Sequence, residues 1–306
     1  MGWAVLLMAY GGPNSLDDVG PYLLDVRGGR ETSPELVEAV RERYAKIGGR
    51  SPLLAITREQ AAALEAQLNR GGSRHKVFVG MRHWYPYISE AVEEIRRAGF
   101  RRVIALCMAP HYSRMSVGAY AEKLRQAVGS DGDLDVKLVE SWHDHPLFIK
   151  ALAAKVCAGL EKFSESERRD VRVIFTAHSL PAAIMAQGDP YASQFEQTAE
   201  LVAQAAGLAR PAWMAAYQSA GAGSTRWLGP SLLEMLPRLA DEGVKNLLVA
   251  PVGFVADHVE ILYEIDIEAR EEAEKLGMRL ERTESPNASP DFIAALADIV
   301  EREMRE

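Results

Sequence analysis

Residues 171–181 read VRVIFTAHSLP. Val171, Val173, Ile174 and Phe175 are β-branched or aromatic, which marks a buried strand. The run ends on a histidine, and Pro181 breaks the chain three residues later. A hydrophobic strand that delivers an imidazole to its carboxyl end suits an open parallel sheet, where ligands bind beyond the strand ends.

The same pattern recurs along the chain. Strands are predicted at Trp3–Ala9, Lys76–Met81, Val103–Ala109, Val136–Ser141, Val171–Ala177, Ala212–Tyr217, Asn246–Pro251 and Arg279–Thr283. Amphipathic runs separate them: Ile56–Asn69, Ile88–Ala98, Ala119–Val128, Leu147–Phe163, Gln194–Ala206, Pro230–Asp241 and Glu260–Leu276, with a last helix at Asp291–Met304. Strand–helix alternation predicts an α/β fold, with parallel sheets covered by helices on both faces. Four strands precede residue 145 and four follow residue 170, so the expected domains are 1–145 and 146–289, with the helix at 290–306 packing back on the first. GFRRVIALCMAP from Gly99 parallels GVKNLLVAPVGF from Gly243, which points to a pseudo-repeat. The first half carries an insertion, residues 11–55, whose Gly, Pro and Arg content reads as a functional loop region.

The 306 residues suit two domains. Apolar residues at 48% supply sizeable cores, and a net charge of −8 with no basic stripe argues against nucleic acid as a partner. No apolar run is long enough to span a membrane. MGWAVLLMAYGG lacks a basic leader region and a cleavage site, so it reads as a first strand. The two cysteines, Cys107 and Cys157, sit in apolar segments and are expected to be buried free thiols in a reducing cytoplasm. No CxxC pair exists.

The strand tips carry the chemistry. They are Tyr10-Gly11-Gly12-Pro13, Pro110-His111-Tyr112-Ser113, His178-Ser179, Tyr217-Gln218-Ser219, and Gly253 through His258. Neither GxGxxG nor GxxxxGK[ST] is present, so nucleotide binding is disfavoured. Ser179 is the neighbour of His178 and no GxSxG exists, which argues against a serine hydrolase. In ADHVEILYEIDIEAREEAEKLG, Asp257 is the expected N-cap and Leu262, Ile265, Ala269, Ala273 and Leu276 the core stripe. Glu260, Glu264 and Glu268 recur every four residues and stack along one face. That row is either a solvated acidic face or a carboxylate ladder for a divalent cation. With His178, an imidazole-plus-carboxylate donor set suits Fe2+, Zn2+ or Co2+.

FTAHSLP, YQSAG with WLGPSL, VAPVGFVADHVEILYEIDIEA and NASPDFI together resemble the ferrochelatase family, and the likeness runs almost end to end from LLMAYGGP. Tyr10 before the glycines is similar to the bacterial coproporphyrin-type members. The resemblance implies two similar Rossmann-like domains, each a four-stranded parallel sheet flanked by helices, with a tetrapyrrole cleft between them. It implies insertion of Fe2+ into coproporphyrin III to give its haem, in haem biosynthesis. His178 and Glu260 match the catalytic pair, which also meets the metal. Glu264 and Glu268 match an acidic line, a metal path or the site of a second divalent cation. Tyr10 matches the residue facing the metal from the opposite side of the ring, and Arg27, Arg43, Tyr44, Ser51 and Tyr120 match the porphyrin-holding positions. Gly28 stands where relatives often carry a second arginine beside Arg27. Iron is then a substrate, no cofactor is needed, the cysteines of cluster-bearing members are absent, and a cytoplasmic monomer is expected. The alternatives are a protoporphyrin IX enzyme, a sirohydrochlorin cobalt or nickel chelatase, and a non-catalytic haem carrier.

Overall fold

The computed structural model describes residues 2–221 and 225–305. The chain divides into two compact units. One takes the chain up to Pro110, Arg114–Trp142 and the segment from Asn287; the other takes His111–Ser113 and His143–Pro286.

The first unit holds a parallel sheet of β1 (Ala4–Ala9), β2 (Lys76–Met81), β3 (Arg102–Cys107) and β4 (Asp135–Val139), in the order β2-β1-β3-β4. β1 reads AVLLMA and is buried along its whole length, as a central strand covered on both faces must be. β2 and β4 open on the exposed Lys76 and Asp135, charges that keep sheet edges from pairing further. The helices are α1 (Val19–Val26), α2 (Pro34–Lys46), α3 (Leu53–Leu68), α4 (Ile88–Arg97) and α5 (Val117–Val128). Residues 11–55 are therefore not a loop: they hold α1, α2 and the start of α3. Ser33 caps α2 by accepting from the Leu36 amide, with Pro34 at the first helical position.

The second unit repeats the plan. β5 (Val171–His178), β6 (Trp213–Gln218), β7 (Asn246–Ala250) and β8 (Arg279–Arg282) form a parallel sheet in the order β6-β5-β7-β8. This is the first order shifted by four strands, so the pseudo-repeat extends to topology. Gly99 and Gly243 both adopt φ near +80° (79° and 83°), closing a helix just before the third strand of each repeat. The helices are α6 (Pro146–Leu160), α7 (Glu165–Arg168), α8 (Tyr191–Ala205), α9 (Leu232–Asp241), α10 (Val259–Leu262) and α11 (Arg270–Lys275). α12 (Pro290–Arg305) returns to the first unit and packs on α3, with Phe292 6.1 Å from Trp142.

Two expectations are corrected. Cys157 is exposed, because it lies on the outward face of α6, while Cys107 is buried in β3; both are free. The helix expected over Glu260–Leu276 is broken in two by a π stretch, Glu264–Ala269. Among the described residues, no helix is long and apolar enough to cross a membrane.

Candidate functional site

His178 ends β5, paired with Gln218 at the tip of β6. Its backbone is held on three sides. The carbonyl accepts from Tyr191 Oη at 2.8 Å, the next amide donates to the Gln218 carbonyl at 2.7 Å, and Ser179 Oγ donates to the Leu228 carbonyl at 2.7 Å. Burial pushes the Tyr191 phenol far up, so it remains a donor. The ring is 36% exposed, and Nδ1 donates to the Ser179 carbonyl. A carbonyl accepts only, so neutral His178 carries its proton on Nδ1 and presents the lone pair of Nε2. That lone pair faces Glu260 Oε1 at 3.5 Å.

Glu260 belongs to α10, whose N-cap is His258 and not Asp257. Asp257 instead accepts from Ser285 Oγ at 2.6 Å and from Arg282 at 3.3 Å. Arg282 also grips Asp266 with two bonds of 2.8 Å, so one guanidinium ties the loop before α10 to the π stretch after it. Gln218 Nε2 donates to the Glu260 carbonyl at 2.8 Å. The Glu260 side chain is 26% exposed, yet Oε2 is buried without a hydrogen-bond partner. His258 Nε2 lies 3.8 Å from it, and burial lowers the His258 pKa against the opposing pull of Glu260. His258 Nδ1 and Gln218 Oε1 are likewise buried and unpartnered. Glu260, His258 and Gln218 thus each keep a buried polar atom unsatisfied, where native interiors rarely leave any.

The π stretch explains the four-residue spacing. In an α-helix, four residues overshoot a full turn by about 40°. Here Glu268 donates from its backbone to the Tyr263 carbonyl five residues back, at 2.9 Å. The wider turn keeps Ile261, Ile265, Ala269 and Ala273 buried in a single line, with Glu260, Glu264 and Glu268 on the half-buried flank. Glu264 accepts from Ser219 Oγ at 2.6 Å, and Ser219 adopts φ +61° to reach it. The carboxylates are thus not on a freely solvated face. Among the described residues, no three or more His, Cys, Asp and Glu side chains are arranged to hold a metal ion.

In the first unit, Tyr10 follows β1 and is 39% exposed. Its ring lies 4.8 Å from that of His83 and 5.7 Å from the Arg82 guanidinium, which is also 5.5 Å from the buried ring of Tyr120. Tyr44 and Ser51 meet at Gly12, where an added Cβ would lie 2.6 Å from Ser51 and 3.6 Å from Tyr44 Oη; only glycine fits. Arg27 caps the end of α1, its carbonyl accepting from Arg30, and Arg43 stands exposed in the last turn of α2. The structure thus pairs His178 with Glu260 and Tyr10 with Tyr120 through Arg82, and brings Tyr44 and Ser51 to Gly12. Sequence reasoning passed over His83 and Arg82, and noted His258 and Gln218 only as strand-tip residues. His258, two positions before the glutamate, was the available signal.

The ferrochelatase family model matches residues 3–304. A protein of Deinococcus radiodurans named ferrochelatase is 45% identical over 99% of this chain and 96% of its own length. One from a Geobacillus strain, named coproporphyrin III ferrochelatase, is 39% identical over 97% and 96%. Among solved structures, the sirohydrochlorin chelatase SirB of Bacillus subtilis subspecies spizizenii in complex with cobalt aligns with TM-score 0.56 and 11% identity. That alignment covers 99% of this chain and 95% of that one, a shared fold.

Proposed function

This chain belongs to the ferrochelatase family, and we propose on that premise that it inserts Fe2+ into coproporphyrin III during haem synthesis. The observation that carries the metal chemistry is Glu260 Oε2, a buried carboxylate oxygen without a partner, flanked by imidazoles at 3.5 and 3.8 Å on its two oxygens. Such a group is costly unless something binds it. A divalent cation arriving as substrate satisfies it, while the Nε2 lone pair of His178 offers the metal a nitrogen or takes a pyrrole proton. Both pyrrole N–H protons must leave, taken up by His178 and the Glu260 carboxylate and passed out along Glu264 and Glu268, and the flat ring must bend so that its nitrogens accept the metal. That distortion draws on binding energy from the propionates and apolar walls. Glu264 and Glu268 continue the acidic line as the supply path for metal, or for a second cation. No other cofactor enters the reaction, and the chain acts as a monomer.

Substrate choice rests on the first unit. Tyr10 faces the metal, while Arg27, Arg43, Tyr44, Ser51 and Tyr120 hold propionates, the arginines by paired hydrogen bonds. Coproporphyrin III carries four propionates and protoporphyrin IX two. A donor that the bound ring buries and a vinyl group leaves unpaired costs on the order of 1–3 kcal/mol. The name borne by the Geobacillus relative agrees with this choice. The test is anaerobic turnover with Fe2+ on both porphyrins. A preference of at least about tenfold in kcat/KM for coproporphyrin III is expected, reduced by Arg43→Ala. Equal or better turnover of protoporphyrin IX overturns the substrate; stoichiometric binding without turnover overturns the enzyme.

A further inference from the structure

Asp25 plays no part in the chemistry above, yet it is built into the surroundings of Tyr10. It lies in the last turn of α1, and each carboxylate oxygen has its own donor. Oδ1 takes His83 Nδ1 at 2.7 Å, and Oδ2 takes Tyr87 Oη at 3.2 Å. His83 is 7% exposed. Its backbone amide donates to the Tyr10 carbonyl at 2.8 Å, and its ring lies against the Tyr10 ring at 4.8 Å with 53° between planes. Gly11 turns with φ +96°, and a Cβ there would meet the His83 carbonyl at 2.9 Å. The chain leaving β1 is thus folded directly onto residue 83.

The Tyr10 ring, 39% exposed at a strand tip, meets the His83 ring and the Arg82 guanidinium. His83 supplies a wall, and the wall is only as rigid as its own support. Burial lowers the His83 pKa while Asp25 opposes the shift, so the neutral ring donates from Nδ1 to the carboxylate. A carboxylate that fixes the tautomer and plane of an imidazole is a recurrent device for holding a working ring still. The Tyr87 phenol is pushed up to about 12, first by burial and then by Asp25, so it too remains a donor.

We propose that Asp25 and His83 are positioning residues for Tyr10: the carboxylate locks the imidazole, and the imidazole locks the phenol. This rests on Tyr10 meeting the metal side of the porphyrin. The test is a double-mutant cycle read as kcat, metal KM, porphyrin KM and unfolding midpoint. Asp25→Ala lowers kcat about tenfold with porphyrin KM unchanged, the scale of a lost charge-assisted bond that orients a reacting group. Asp25→Asn keeps an oxygen for Nδ1–H and restores most of the loss. Tyr87→Phe, which removes one of the two bonds to Asp25, gives a smaller loss of the same kind and serves where Asp25→Ala does not fold. In a Tyr10→Ala background, Asp25→Ala has no further effect on kcat. Equal fold-losses in both backgrounds overturn the proposal and leave Tyr10 in place. If Tyr10→Ala alone leaves turnover unchanged, the role of Tyr10 fails and the proposal falls with it.

Discussion

Glu260→Gln is expected to make the protein more stable and to stop it working. The magnitude follows from two distances and one orphan. Oε2 is buried without a partner, and the imidazole nitrogens at 3.5 and 3.8 Å lie beyond the range of a good hydrogen bond. An unmet buried acceptor costs about 1–3 kcal/mol; with the side chain 26% exposed, the low end applies, about 1 kcal/mol. The amide has the same shape, carries no charge to desolvate, and turns one of its two positions into a donor toward the facing imidazole nitrogen. The variant therefore unfolds at higher urea by the equivalent of about 1 kcal/mol, with an unchanged slope. The unfolding is run at pH 8. Turnover with Fe2+ and porphyrin falls at least about 100-fold, the usual share of a positioned acid–base group. A variant destabilised by more than about 1 kcal/mol refutes the reasoning, since the carboxylate would then be part of the scaffold. So does one that keeps about a tenth of wild-type turnover, because that loss is only about 1.4 kcal/mol.

His178→Ala leaves the backbone bonds of its strand end intact, so the unfolding midpoint moves little while metal insertion drops by well over tenfold, checked by turnover beside a urea melt. His111 is pushed to about 3 by burial and, secondarily, by His143. Below its ordinary value of 6.5 the unfolded chain takes up a proton that the folded chain refuses, so stability falls as pH drops from 6.5 toward 3 and is unaffected above that window. The slope is about 1.4 kcal/mol per pH unit, and His111→Gln flattens it by that amount in urea melts between pH 5.5 and 4; an unchanged slope refutes the assignment.

The strands were legible to within about two residues because most hold a short apolar stretch, as AVLLMA in β1 and NLLVA in β7 do, between turn or charged residues. β1 is the clearest, since a strand flanked by β2 and β3 and buried along its whole length carries no polar residue. The pairing of His178 with Glu260 could not be read locally: 82 residues separate them, and the family likeness supplied the link. Residues 11–55 misled because glycines and arginines suggested a loop, whereas Ser33-Pro34 is a helix start in plain view. Asp257 looked like a cap by type, but tertiary partners, Ser285 and Arg282, outbid the helix for it. The Asp25–His83 bond spans 58 positions and leaves no periodic trace.

The π stretch at Glu264–Ala269 makes residue number, as distinct from residue type, a conserved quantity of this segment's geometry. Removing one residue would wind the coil back to the ordinary pitch, turning everything downstream by about 100° and drawing it in by about 1.5 Å. α11 would present a different side to the sheet, and Asp266 would swing away from the two-pronged grip of Arg282. Side chains along the stretch can be exchanged one at a time at graded cost; a single-codon deletion is all-or-nothing. The segment behaves as a ruler whose length, set by one surplus residue, keeps the carboxylates and the core in step.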